Sequence, residues 1–298
     1  MHYLLVLLFF VSARAELIEK DFFQSLSAGY VKVNSDSELE THSGKSVLLF
    51  EPNVGTGFGI SAETQYITVG YSFSGGTPED VNHKMSDFKD LRITGAWRSF
   101  DFRLNYQNYE GALVRDSGRD IFYEDYRMRA KNARIHYYFT PSHLKYIREQ
   151  KSLVERVGKN EGFGKSSSIF VGLNVDQRSI HLPERLAPEH QAHVDANNFK
   201  YDSNFSALSA GPLLGGDLMF LYGPAYFRGK FGGGPALQMG GGVVPQFEMA
   251  MNLGFAFFKR HLISVGFDLY MIEFRDSDQQ IANNNLQSFI GYTYAFLD

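Results

Sequence analysis

From Gln246 to Phe257 the chain alternates without a break: Phe247, Met249, Met251, Leu253, Phe255 and Phe257 fall on one side, and Gln246, Glu248, Ala250, Asn252, Gly254 and Ala256 on the other. A period of two over this length predicts a β-strand with one apolar face. After the turn Lys259-Arg260-His261 the alternation resumes, with Ile263, Val265, Phe267, Leu269 and Met271 opposite Ser264, Gly266, Asp268 and Tyr270. The two runs therefore read as a hairpin. The same pattern recurs in Gln65–Phe73, Asp90–Trp97, Asp101–Gln107, Asn132–Phe139 and Ser168–Val175.

These runs predict strands near residues 45–60, 64–73, 88–97, 101–110, 126–139, 143–155, 166–178, 205–220, 225–240, 246–258, 262–274 and 285–296. A soluble sandwich also alternates, but many of these runs are 9 to 13 residues long. Globular strands are usually about 5–6 residues, whereas a tilted membrane strand needs about 9–11. Tight connections (Ala62-Glu63-Thr64, Arg98-Ser99, Lys259-Arg260-His261) mix with long polar ones (Ser74–Asp87, Glu110–Asp125, His181–Ser203). The fold expected is an all-β, antiparallel transmembrane barrel of about twelve strands, in a range of about ten to fourteen. The set contains a parity conflict, because strict alternation puts the Ala62–Thr64 turn and the Lys259–His261 turn at opposite ends. Residues 143–165 fit a hairpin, a short helix or a loop equally well.

At the N-terminus Tyr3–Val11 forms an apolar run of signal-peptide length, followed by Ala13-Arg14-Ala15 as a small-x-small cleavage site. The division expected is a signal peptide at 1–15, an N-terminal extension or extra strand at 16–44, and the barrel at 45–298. The n-region departs from the usual pattern in lacking Lys or Arg. There is no cysteine, which removes disulfides, thiolate metal sites and a lipidated cysteine. A net charge of -4 with scattered cations leaves no basic surface for nucleic acid. Aromatics are 15% of the chain, with 17 Tyr and 27 Phe, a composition that favours strands.

Phe50-Glu51-Pro52-Asn53 followed by Gly57-Phe58-Gly59-Ile60, the stretch Leu91–Val114, and Phe289-Ile290-Gly291-Tyr292 together resemble an uncharacterised family of bacterial outer-membrane β-barrels. The resemblance covers roughly residues 45 to 298 as weak strand and turn patterns. It implies a barrel of about a dozen strands in the outer membrane of a Gram-negative cell. It implies no catalytic activity.

Turning the apolar side of each strand to lipid leaves Asp90, Arg92, Asp101, Arg103, Arg134, His136, Glu248 and Asp268 facing the lumen. Such charges either pair into a polar core or line a small watery passage. His181, His190 and His193, in a segment with Glu184, Glu189 and Asp195, are candidate metal ligands. Pro183 and Pro188 weaken a helix there, and a polar exposed loop explains the same residues. Gly162-Phe163-Gly164-Lys165-Ser166 misses the phosphate-loop pattern, since Lys159 stands where its first glycine belongs. Gly232–Gly234 and Gly240–Gly242 match no nucleotide fingerprint and mark bends or close packing. No spacing singles out a nucleophile with its base, and no cofactor is implied. The reading is a non-enzymatic, porin-like small channel, a solute-binding barrel or a structural surface protein. Its partners would be outer-membrane lipid, periplasmic chaperones with the barrel-assembly machinery, and a small solute. The alternative is a barrel enzyme acting on lipid or peptide at the membrane surface.

Overall fold

The computed structural model describes residues 23–41, 46–64, 67–75, 78, 80, 82–115, 120–143, 163–197, 199, 201–240, 242–257, 260–275 and 280–296. In chain order these form β1 (Phe23–Glu40), β2 (Ser46–Glu51), β3 (Gly57–Thr64), β4 (Ile67–Ser74), β5 (Asp87–Trp97), β6 (Phe100–Val114) and β7 (Ile121–Tyr138). They continue with β8 (Phe163–His181), helix α1 (Pro188–Ala196), β9 (Asn204–Tyr222), β10 (Ala225–Gln238), β11 (Gly242–Phe257), β12 (His261–Arg275) and β13 (Gln280–Ala295). Every strand pair is antiparallel, and β13 closes onto β1 from Ser25↔Ala295 to Glu40↔Gln280. The sheet is thus a closed barrel without an edge.

Among the described residues, 13 strands occupy twelve wall positions, because β2 and β3 share one. β3 pairs with Phe23–Val31 of β1, and β2 with Ser37–Glu40 of the same strand. Between them the chain leaves the ladder at Pro52, which has no N–H to contribute. Asn53 fills the gap: its backbone N–H donates to Ser86 Oγ at 2.7 Å, and its amide donates to the carbonyls of Asp80 (3.0 Å) and Lys84 (2.9 Å). The Asp80 N–H donates back to Asn53 Oδ1 at 2.8 Å. Above this break β2 reaches β6 directly at Phe50↔Val114, and below it the shorter hairpin β4–β5 is inserted between β3 and β6. The Phe50–Asn53 motif therefore marks where the wall loses two strands.

Phe23 and Ala295 lie at one end, here the terminal end, together with the turns after Thr64, Trp97, Tyr222 and Phe257 and the long connection from Tyr138 to Phe163. The connections 75–86, 115–120 and 182–203, the last holding α1, lie at the opposite loop end. This arrangement removes the parity conflict. β7 pairs directly with β8 from Arg127↔His181 to Tyr138↔Phe170, so the strand expected at 143–155 has no place in the wall. Residues 141–143 begin a helical turn, and 144–162 lie outside the described residues. The missing wall position is taken by β1, so residues 23–40 supply the extra strand, whereas the expected signal peptide lies outside the described residues.

Alternation divides the wall into two faces. Ile67, Val69, Tyr71 and Phe73 of β4, Val171 and Leu173 of β8, and Leu253 and Phe255 of β11 are exposed on the outside. Their in-sequence neighbours turn inward. Where β6 and β7 slip register between Glu110 and Ala112, Gly111 adopts φ 80°, a conformation that a side chain disfavours.

At the closing seam Gly29 faces Gly291, and a Cβ on Gly29 would stand 2.3 Å from the Ile290 carbonyl oxygen and 2.7 Å from Gly291 Cα. We predict that Gly29→Val forces the seam apart, costing about 1–3 kcal/mol or more. The fraction of unboiled protein migrating as folded barrel on a gel should fall several-fold. A folded fraction equal to the parent's would contradict this geometry.

Candidate functional site

Inward-facing side chains fill the barrel in two zones. Nearer the terminal end the strands bring together a charged network. Glu248 of β11 accepts from Arg134 Nη1 at 2.9 Å and has His136 Nε2 and Lys230 Nζ each at 3.3 Å. Asp268 of β12 lies 2.5 Å from Arg103 Nη1 and 3.4 Å from Arg92 Nη1. Arg92 also reaches Asp90 at 3.6 Å and donates to Gln287, which itself donates to Asp90. Asp101 sits 3.3 Å from His136 Nδ1. Each of these carboxylates has a cation or an imidazole beside it, the condition under which buried charge is tolerated. A vestibule of about 310 Å³ opens among them, lined by Arg92, Arg103, Arg228, Lys230, Asp101 and Asp268.

Further toward the loop end the lumen is packed solid. Arg178, 1% exposed, donates from Nε to Asp176 at 2.7 Å and from Nη1 to Asn283. The Tyr270 ring lies between two guanidinium groups, Arg134 at 3.9 Å and Arg178 at 5.8 Å. Asn174 donates to Gln246 at 2.8 Å and to the Tyr270 hydroxyl at 2.7 Å. Beyond this polar layer comes an apolar core that includes Phe50, Phe88, Tyr109, Tyr126, Met128 and Phe274, all fully buried. Phe50 stacks on Tyr126 at 5.4 Å. Val194 of α1 packs into the same core.

All eight lumen candidates thus lie in or beside one network. The histidine set does not converge. His190 is buried with Nδ1 2.7 Å from the Tyr123 hydroxyl, which also accepts from the Ala187 N–H. His193 is exposed on α1, and His181 Nδ1 is 2.8 Å from Asn204 Oδ1 at the strand end. Among the described residues no three metal-ligating side chains form a group.

Sequence reasoning missed Asp176, Arg178, Asp217, Arg228 and Lys230. Extending the Ser168–Val175 alternation by one period assigns Asp176 and Arg178 inward. Asp217, Arg228 and Lys230 sit in strands rich in glycine and Leu, where the alternation is blurred.

Sequence spacing also failed to bring Ser166, His143 and Asp217 together. His143 Nδ1 is 2.8 Å from Ser166 Oγ, and His143 Nε2 is 3.4 Å from Asp217 Oδ1. Asp217 is already held by both Arg228 Nη2 (2.7 Å) and the Tyr138 hydroxyl (3.1 Å). Asp217 is thus shared between His143 and the Arg228–Tyr138 pair, and His143 is fully buried.

No family model and no curated protein matches the chain. Among solved structures it is similar to the outer-membrane protease OmpT of Escherichia coli, at 7% identity and a TM-score of 0.34, over 92% of this chain and 96% of that one. It is also similar to the beta domain of the Bordetella autotransporter BrkA, at 10% identity and a TM-score of 0.37, over 92% and 99%. A third is Neisserial surface protein A, at 7% identity and a TM-score of 0.30, over 92% and 97%. None of these similarities carries an activity over to this chain.

The Asp176–Arg178 pair gives a test of the packed layer. Arg178→Met strands a buried carboxylate, and a loss of about 3–5 kcal/mol is expected. Asp176→Leu with Arg178→Met removes both charges, and roughly half of that loss or more should be recovered. Denaturant midpoints of the barrel in lipid vesicles measure both. A double variant no more stable than the single one would show that the cost does not come from an unpaired charge.

Proposed function

We propose that this chain is an integral outer-membrane β-barrel that does not conduct, and that holds a small charged solute in the vestibule at its terminal end. The exterior supports the membrane reading. Outward positions of β11 run apolar from Val243 through Pro245, Phe247, Met249, Met251, Leu253 and Phe255 to Phe257, a run longer than the ~9–11 residues that a tilted spanning strand needs. Trp97, Tyr137 and Tyr222 are exposed at the terminal end, as side chains with an apolar body and a polar edge are at a lipid–water boundary. Among the described residues no helix is long and apolar enough to cross a membrane. We place the terminal end, which holds both ends of the described barrel, in the periplasm; the longest connection, from Tyr138 to Phe163, lies at this end as well.

One observation carries the non-conducting reading: buried side chains, the Arg178–Tyr270–Arg134 layer and the apolar core beyond it, occupy the lumen toward the loop end. An ion crossing that core would lose its hydration without gaining polar partners. The vestibule, by contrast, offers four cationic side chains and three anionic ones, Glu63, Asp101 and Asp268, to a solute entering from the terminal end. The Ser166–His143–Asp217 cluster comes nearest to an enzymatic arrangement, but its carboxylate is shared with Arg228 and Tyr138 and His143 is fully buried.

The folded protein is expected to partition with the outer membrane, to migrate anomalously unless boiled, and to give no discrete current steps in a planar bilayer. Stepwise conductance above the empty membrane would overturn the sealed-lumen reading. Recovery of the folded protein in the soluble periplasmic fraction would overturn the membrane reading itself.

A further inference from the structure

The outer face of β7 changes character at one point. Toward the terminal end it shows Tyr137, Ile135 and Ala133 to the surroundings, and toward the loop end Lys131, Arg129 and Arg127, all three exposed. The ladder sets these cations beside Tyr106, Asn108 and Glu110 of β6 and beside Gln177, Ser179 and His181 of β8. Lys89 of β5 stands across from Asn108, with Asp87 at 3.4 Å. Arg129 Nε donates to Asn108 Oδ1 at 3.3 Å, and Glu110 accepts from Asn108 Nδ2 at 3.2 Å. Among the described residues no carboxylate lies within ion-pair distance of Arg127, Arg129 or Lys131. The sector is local, since at the corresponding height β1 presents Asp36, Glu38 and Glu40.

Directly beneath the cations the wall is notched. Ala133 sits in register between Leu104 and Val175, and its short side chain leaves a depression of about 360 Å³. Leu91, Ile93, Leu104 and Leu208 wall it, and Lys131 and Gln177 stand at its rim. A crevice in the apolar belt fits a hydrocarbon chain, and cations at the edge of that belt fit a phosphate at headgroup depth. We infer that this sector of β6–β8 seats a phosphorylated lipid of the leaflet at the loop end, its phosphate on Arg129 and Lys131 and one acyl chain in the Ala133 notch. The notch selects a lipid over free phosphate, which would use the cations alone. The inference rests on the membrane reading above.

The test is reconstitution of the full chain into phosphatidylcholine vesicles doped with bisphosphorylated lipid A, extraction into mild detergent, and native mass spectrometry of the retained lipid. The parent should retain lipid A in preference to phosphatidylcholine. Reversing two headgroup charges in Arg129→Glu/Lys131→Glu should reduce retention by about tenfold or more. The milder Arg129→Gln/Lys131→Gln should reduce it less, and Ala133→Leu, which fills the notch, should reduce it several-fold. Excess inorganic phosphate should leave the lipid bound. Equal retention by all variants overturns the proposal, as does displacement by inorganic phosphate with Ala133→Leu neutral, which would make this a phosphate site. The anomalous gel migration of unboiled protein separates the two levels: a parent that lacks it fails the membrane reading, whereas variants that keep it and still hold lipid fail only this site.

Discussion

Closure of the β1–β13 seam is the constraint on which the rest of the structure depends. A strand edge facing hydrocarbon leaves a row of N–H and C=O groups with no partner, at several kcal/mol each. The first and last strands must therefore find each other, and here they pair along their whole described length from Ser25↔Ala295 to Glu40↔Gln280. Several features follow from that requirement. The facing glycines Gly29 and Gly291 let the backbones approach, and the Ser27 and Thr293 hydroxyls, 2.8 Å apart, join the seam from the inside. The ring must also hold an even number of strands for both termini to emerge at one end.

Closing a ring this size creates an interior that the chain then has to occupy. A twelve-position wall encloses more space than a row of small side chains can fill, so each inward position has to supply bulk or hold water. The chain supplies bulk at the loop end, where Phe50, Phe88, Tyr109, Tyr126 and Phe274 pack as in a soluble core. At mid-height it uses guanidinium groups stacked on an aromatic ring, Arg134 and Arg178 on Tyr270, which fill volume and carry charge at once. Only at the terminal end does the packing open into a vestibule. The loss of the β4–β5 hairpin above Pro52 works in the same direction, because narrowing the ring reduces the volume left to fill.

The architecture was legible where alternation was strong. The hairpins of β11–β12 and β5–β6 could be read directly, because Phe, Leu and Ile alternate there with Asp, Arg and Glu, and the inward charges fell out of the same pattern. Two failures have a common physical origin. β1 reads FQSLSAGYVKVNSDSELE, and its seam needs small or polar side chains on both faces, so its hydrophobic contrast is weak. β9 and β10 are rich in glycine where strands crowd, which hid Asp217, Arg228 and Lys230. The strand expected at 143–155 has no place in the wall, because β7 pairs directly with β8. No property of Ser166, His143 or Asp217 taken singly marks their meeting, since it depends on a helical turn folding back under β8 and β9.

The inner and outer faces of β7 show how one strand meets two unrelated demands. Inward it carries Tyr126, Met128, Ala130, Asn132, Arg134, His136 and Tyr138, passing from apolar core to charged network toward the terminal end. Outward it passes from Arg127, Arg129 and Lys131 to Ala133, Ile135 and Tyr137 in the same direction. The two gradients run oppositely: charge is inside where the outside is apolar, and outside where the inside is apolar. A transmembrane wall imposes this inversion at the height of the bilayer, where the exterior must be apolar and inward charges can be matched only by one another. Where such a wall is surrounded by water, a packed apolar interior becomes the stable arrangement and exterior cations carry no desolvation cost. The crossover on β7 falls between Lys131 and Ala133 outside and near Asn132 inside, and the neighbouring β8 departs from it, with Asp176 and Arg178 buried inside in register with Asn132 and Ala130.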